Sequence, residues 1–194
     1  MLTLIRHGET EANVERRKTG QIETPLTENG ISQAKSVAED HNGYEYDYVF
    51  TSPLSRCVDT TQYAIGQRHP QDTWIRVEEL MERSGGVLEG MLYSDMRKTM
   101  PPRQYKLWQR DYFEAPPMGE SMADVHDRVI PWFKENVLPL VNNGSNVWIC
   151  THDIVMKILI GYIKGLNEVE IPKLKIENCV PYVLYGTLTN KNNE

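Results

Sequence analysis

The sequence predicts an α/β layered fold: a three-layer sandwich with a mostly parallel central sheet, helices on its faces and a small helical cap. Three observations predict it. First, three short apolar runs each end in a polar, chemically useful residue: Leu2-Thr3-Leu4-Ile5 into Arg6-His7, Tyr48-Val49-Phe50 into Thr51-Ser52, and Val147-Trp148-Ile149-Cys150 into Thr151-His152. Nearly continuous apolar runs of this length suit strands buried on both faces, as in parallel sheets. Second, segments with helical apolar spacing fall between the runs, which is the alternation that builds such sheets. Third, no repeat, linker or low-complexity stretch interrupts the 194 residues, so the chain reads as one domain over 1–194 with the cap at about 91–118.

The elements follow in order. After the first strand, Thr27 is a good N-cap for a helix with Ile31, Ala34 and Val37 on one face. Beyond the second strand, Ser52-Pro53 combines an N-cap with proline at the first helical position, and Leu54, Val58 and Ile65 supply a buried stripe. Trp74-Ile75-Arg76-Val77 reads as a further strand. Residues 92–117 read as one or two helices laid over the domain and stopped by Pro116-Pro117. Ser121 caps a long helix carrying Met122, Val125, Val129, Trp132 and Val137, with a kink expected at Pro131. The strand ending at Cys150 is followed by a helix over residues 154–163, and residues 180–188 give a last strand.

Composition bounds the function. A hydrophobic content of 40% with 25% charged residues is that of a globular chain. The apolar runs are far short of the roughly 20 residues that span a bilayer, and Arg6 interrupts the first run too early for a secretory signal. A net charge of −6 argues against affinity for nucleic acid or anionic membranes, so an anionic substrate needs a local basic pocket. Cys57, Cys150 and Cys179 are odd in number and unpaired in spacing, which fits a reducing cytoplasm. Cys150 reads as core, and His41, His69 and His126, with no metal-ligand spacing, read as solvated surface residues. Nothing in the pattern sets an oligomeric state, and a homodimer stays open.

The chemistry starts at Arg6-His7-Gly8-Glu9. Arg6 can bind two phosphate oxygens through its planar fork, and a neutral imidazole at His7 is a competent nucleophile. Arg56 falls in the first turn of a helix, where free N–H groups and the helix dipole favour anions. His152 at another strand end can donate to a transferring phosphoryl group. In such folds ligands collect at the carboxyl ends of strands. A histidine nucleophile also needs an acid for the leaving oxygen, and the Gly-rich loop Leu80 to Gly90 offers Glu82 and Glu89, between which chemistry alone does not choose.

These residues resemble the histidine phosphatase superfamily, also called the phosphoglycerate mutase-like family. The resemblance rests on Arg6 to Thr10, Asn13, Thr19-Gly20, Pro25 to Gly30, Thr51 to Arg56, Leu80 to Gly90, Gly119 to Ser121 and the strand ending at His152, in the family's order over nearly the whole chain. It implies that His7 becomes phosphohistidine, that Arg6, Arg56 and His152 form the phosphate pocket with Asn13 adding a hydrogen bond, and that Thr19, Gly20 and Arg110 contact substrate. It also selects Glu82 as proton donor and leaves Glu89 structural. The implied enzyme is a metal-independent acid-type phosphomonoester hydrolase with no cofactor, acting on a small phosphate ester. The alternatives are a bisphosphoglycerate-dependent phosphoglycerate mutase and a non-catalytic phosphate-binding member. The mutases carry Trp-Arg-Arg where this chain has Trp108-Gln109-Arg110, which favours the hydrolase. One departure stands out: Asp153 replaces the family's glycine after the second histidine, where it is expected either to raise the pKa of His152 or to repel a dianion. Among Tyr93, Arg97, Arg103, Tyr105 and Arg110 of the cap, only Arg110 has a reason from the family to face the ligand.

Overall fold

The computed structural model describes residues 1–188. In chain order its elements are β1 (Leu2–Arg6), α1 (Glu11–Glu15), α2 (Glu28–Asp40), β2 (Tyr48–Thr51), α3 (Ser55–Ile65), β3 (Ile75–Arg76), α4 (Tyr93–Thr99), α5 (Pro102–Arg110), α6 (Met122–Asn136), α7 (Leu138–Asn142), β4 (Val147–Thr151), α8 (Asp153–Lys164) and β5 (Tyr182–Leu184). The sheet runs β3-β2-β4-β1-β5, with every neighbouring pair parallel except β1 with β5. The chain lays down β1, skips one position for β2, and later returns to fill the gap with β4. Arg6 thereby pairs with Thr151, and Thr51 with Cys150, so the three polar strand ends lie side by side.

Alternation along the strands builds two cores. Leu2, Leu4, Phe50, Val147 and Ile149 pack with Val125, Val129 and Phe133 of α6 and with Val155, Ile158 and Leu159 of α8. On the other face Ile5, Val49, Trp148 and Cys150 pack with Ala34 and Val37 of α2 and with Cys57, Val58 and Ile65 of α3. Trp148 is the largest fully buried side chain. Helices on both faces of a mostly parallel sheet make the expected sandwich, and α4 and α5 lie within the expected cap interval.

Several elements differ from expectation. α3 starts at Ser55 with Leu54 at the capping position and no side-chain cap, so Ser52-Pro53 does not cap it. Ser52 instead ends β2's ladder, its N–H donating to the Cys150 carbonyl at 3.0 Å. β3 holds only Ile75 and Arg76, both exposed. The cap helices end at Arg110, where Asp111 takes an extended backbone and its Oδ1 accepts the Phe113 N–H at 2.9 Å, well before Pro116. The last strand is only Tyr182–Leu184. α6 does start at Ser121, whose hydroxyl and Asp124 form a reciprocal capping box, and Pro131 sits inside it on the exposed side; Val137 lies just beyond its end. The five-residue helices α1 and α7 were too short to carry a periodic signal.

Two of the three histidines read as solvated are buried. His41 Nδ1 meets the Tyr46 hydroxyl at 3.0 Å, and His69 Nε2 accepts the Tyr46 N–H at 3.4 Å. Both belong to a buried aromatic cluster around Tyr46 and Trp148. His126 is half-exposed beside Asp127, as expected.

Candidate functional site

The carboxyl ends of β1, β2 and β4 form the floor of a cavity of about 880 Å³, walled by α1, the loop after it, the 82–83 segment, α4, α5 and the start of α8. Its lining holds ten arginines and lysines against two carboxylates, Glu82 and Asp153. The chain as a whole carries −6, so positive charge is concentrated here.

His7 lies at the floor, with its N–H bound to the Thr151 carbonyl at 3.0 Å. Its ring Nδ1 is 2.7 Å from the Gly8 carbonyl, an acceptor, so Nδ1 carries the proton and Nε2 the lone pair. The backbone turns tightly here. Gly8 N–H donates to Thr60 Oγ1 at 2.9 Å, and a Cβ on Gly8 would meet the Gly30 carbonyl oxygen at 2.6 Å. Burial, then Arg56, then Arg6 hold the His7 imidazole well below its ordinary pKa. Its neutral form is thereby preserved.

The guanidinium of Arg56, only 1% exposed, is anchored on the main chain. Nη1 donates to the Ile22 carbonyl at 2.9 Å, Nη2 to the Gly20 carbonyl at 2.8 Å, and Nε points at His152 Nδ1 at 3.3 Å. Arg6 donates through Nη1 to the Ile176 carbonyl at 2.8 Å, while its buried Nε has no partner among the described residues. The segment after α8 also grips β1 directly: Cys179 N–H donates to the Arg6 carbonyl at 3.0 Å and Asn178 Nδ2 to the His7 carbonyl at 2.7 Å.

His152 is fully buried at the start of α8, with its ring centroid 5.2 Å from that of His7. It does not itself line the cavity, but its Nδ1 adjoins Nε of Arg56, which does. Burial, then Arg56, His7, Arg6 and Arg128 hold its pKa well down, opposite to the rise expected from Asp153. The cause is burial and the surrounding cations, which Asp153, paired with Lys157 Nζ at 2.9 Å one helical turn on, does not offset.

Glu82 lines the cavity, half-buried, with Oε1 accepting the Arg83 N–H at 2.7 Å. Glu89 does not line it with Glu82. Its Oε1 accepts Gly85 N–H at 2.8 Å and Gln21 N–H at 3.1 Å, pinning the Gly-rich loop. That loop is tied to β4 by Thr151 Oγ1, which donates to the Leu80 carbonyl at 2.7 Å. Arg128 Nη2 donates to the Met81 carbonyl at 2.9 Å while its Nε pairs with Glu120 at 2.7 Å, and Glu120 also accepts Ser84 N–H at 2.8 Å.

Asn13, Thr19, Gly20 and Arg110 all line the cavity, as do Tyr93, Arg97 and Tyr105, but Arg103 does not. Asn13 Oδ1 is used in the capping box of α1, accepting Thr10 N–H at 3.2 Å. Sequence reasoning missed Arg83 and Lys18. Arg83 is 3% exposed; Nη2 donates to the Trp108 carbonyl at 3.1 Å, and neither Nε nor Nη1 has a partner among the described residues. Burial and neighbouring Arg83 push the Lys18 amine down to about 8. Their signals were adjacency alone, Arg83 to Glu82 and Lys18 to Thr19-Gly20.

Four buried histidines (His7, His41, His69 and His152) have lowered pKa values. The unfolded chain takes up protons at these positions as pH falls through about 6.5, while the folded chain resists. The unfolded state then binds more protons, so stability declines as pH drops below that value and is insensitive to these groups above it. A fall in thermal midpoint between pH 7 and pH 5, reduced in a His41→Gln, His69→Gln double variant, is the expected result.

Fold and cavity together define an α/β protein with a cationic pocket at the carboxyl edge of its sheet. The chain belongs to the histidine phosphatase superfamily, whose branch 1 model matches residues 2–189. It is 36% identical over 188 residues to the phosphoglycerate mutase of Schizosaccharomyces pombe, covering 95% of this chain and 89% of that one. Among solved structures it is similar to YhfR of Bacillus stearothermophilus, with a TM-score of 0.84, 29% identity, and coverage of 98% of this chain and 94% of the other. A mycobacterial glucosyl-3-phosphoglycerate phosphatase matches at a TM-score of 0.80 and 28% identity, covering 93% and 90% of the two chains. Among the described residues no helix is long and apolar enough to cross a membrane.

Proposed function

We propose that this chain is a phosphomonoester hydrolase working through a phosphohistidine on His7. The observation that carries the reading is the buried His7 ring, whose Nδ1–H is committed to Gly8 O at 2.7 Å so that a neutral Nε2 faces the cationic cavity. In the first step Nε2 attacks phosphorus in line, the N–P bond forms, the ester P–O bond breaks, and Glu82 gives its proton to the leaving alkoxide. In the second step water attacks phosphorus, Glu82 takes up the water proton, and the N–P bond breaks to release phosphate. Arg6 and Arg56 offset the charge on the phosphoryl oxygens, and His152 donates a hydrogen bond to one of them. Asn13, Thr19 and Gly20 line the approach. Because side chains supply the positive charge, no metal ion is required for this scheme, and the substrate is a small phosphate ester.

A second reading, a phosphoglycerate mutase, is favoured by a specific feature. The free Nε and Nη1 of Arg83, with Lys18 on the same cavity, suit a second anionic group on the substrate. Against it, Gln109 stands where the mutases' first arginine would add charge. Phosphate release from p-nitrophenyl phosphate in excess EDTA, and interconversion of 3- and 2-phosphoglycerate with and without 2,3-bisphosphoglycerate, separate the two. The hydrolase reading expects phosphate release in EDTA well above a His7→Ala control. Interconversion without net phosphate release overturns it in favour of the mutase, and neither activity leaves a binding protein.

A further inference from the structure

His152 meets two groups that ask opposite things of it. Its Nδ1 is 3.3 Å from Arg56 Nε, and its Nε2 is 2.9 Å from Ser52 Oγ. A guanidinium N–H can only donate, so on that side Nδ1 must carry a lone pair and Nε2 the proton. The Ser52 side asks for the reverse. Ser52 is fully buried, and its Oγ already accepts the Leu54 N–H at 3.4 Å. If His152 Nε2–H also donates to it, the hydroxyl hydrogen has no acceptor among the described residues. If the hydroxyl turns toward Nε2 and donates, every polar atom of Ser52 is satisfied and the His152 proton moves to Nδ1. An unsatisfied buried group costs more than an ordinary hydrogen bond contributes, so each arrangement leaves one end strained.

A phosphoryl oxygen removes the conflict, since it accepts only and can take both the Arg56 Nε–H and a His152 Nδ1–H. We propose that Ser52 is a positioning residue: its hydroxyl donates to His152 Nε2 and so holds the Nδ1–H tautomer that hydrogen-bonds the transferring phosphoryl group. This rests on the phosphoryl-transfer reading of the pocket and deepens it. The other atom near Nε2 is Cys57 Sγ at 3.4 Å, a weak donor that is also placed to donate to the Thr151 carbonyl at 3.4 Å. The imidazolium, which would carry both protons, is disfavoured from every side: by Arg56 on α3, by Arg6 and His7 at the end of β1, and by Arg128 on α6. Asp153 on α8 is the nearby carboxylate; it pairs with Lys157 and does not offset these cations at His152. A neutral tautomer chosen by Ser52 is therefore the route to a donor at Nδ1. The sequence Ser52-Pro53 looked like a helix cap, and the hydroxyl serves His152 instead.

The test uses Ser52→Ala, with Ser52→Thr as the conservative variant and Ser52→Cys as an isosteric weak donor, each checked by thermal midpoint. Two quantities are read: the pH profile of kcat/KM for p-nitrophenyl phosphate, and the tautomer of His152 by ¹⁵N NMR with saturating inorganic phosphate. Loss of the hydroxyl is expected to lower kcat/KM about 10–100-fold near pH 8. With a phosphoryl anion bound, its charge offsets the surrounding cations, so as pH falls the imidazolium supplies the Nδ1 proton, the loss shrinks and the basic limb of the profile moves to lower pH. Ser52→Thr is expected to restore that limb, with Ser52→Cys intermediate. In the wild type with phosphate, the NMR spectrum is expected to report Nδ1–H. A uniform loss at all pH values in folded Ser52→Ala, or an Nε2–H tautomer in the phosphate complex, overturns the proposal. Absence of wild-type turnover above the His7→Ala control would instead strike at the hydrolase reading, while the NMR measurement on bound phosphate still decides the role of Ser52.

Discussion

Replacing His7 by alanine is expected to reduce phosphate release by on the order of 10⁴-fold or more, the scale seen when a covalent nucleophile is removed. The ring is buried at the cavity floor, and a water molecule entering the void would lack both its lone-pair basicity and its fixed aim. Arg6, Arg56 and Glu82 do not depend on the His7 ring for their anchors, so the variant should fold and still bind phosphate. Rapid quenching of the wild type with a ³²P-labelled ester should trap label that survives alkali and is lost in acid, the behaviour of an N–P bond. Alanine at position 7 should trap none. Trapped label on any other residue, or unchanged turnover in the variant, would remove His7 from the proposed role.

Glu82→Gln carries the second large effect, and its size should depend on the leaving group. The glutamine keeps the shape and can still accept the Arg83 N–H that Glu82 Oε1 takes at 2.7 Å. It cannot donate a proton to a departing alkoxide. For an alkyl phosphate such as glycerol phosphate, whose leaving oxygen is strongly basic, the loss is expected at about 10²–10⁴-fold. For p-nitrophenyl phosphate, whose phenolate leaves without help, the first step should be nearly normal and the defect should sit in the attack of water. A burst of p-nitrophenol followed by slow turnover would mark that division. Equal losses for both esters in all phases would show that Glu82 is not the acid.

The three central strands and the main floor residues were legible because each is written locally. Apolar runs that end in Arg6-His7 and Thr151-His152 announce both the strand and the point where it stops. The Glu82-or-Glu89 choice was not legible from chemistry, since both share one Gly-rich loop; their separation arises when Gly85 N–H and Gln21 N–H claim Glu89. Arg83 was invisible because its burial depends on α5, 25 residues away, which supplies the Trp108 carbonyl. His41 and His69 sit in polar local sequence, yet Tyr46 draws both inward. Ser52 was misread for the same kind of reason: local helix grammar was outbid by a hydrogen bond across 100 positions of sequence. Asp153 looked hazardous because its partner, Lys157, lies a full turn further along α8.

The order β3-β2-β4-β1-β5 sets a timetable for synthesis. β1 is made before the other four strands yet is an interior one, and both of its neighbours, β4 and β5, lie at Val147 and beyond. At about 5–20 residues per second, Leu2 waits roughly 7–30 s for Val147 to be made. During that interval β2 can pair only with the two-residue β3, so the central ladder waits for β4. Contacts of such long sequence separation also slow folding of the finished chain. Leu2, Leu4 and Ile5, all without solvent exposure in the folded protein, are thus the segment most in need of shielding while translation proceeds.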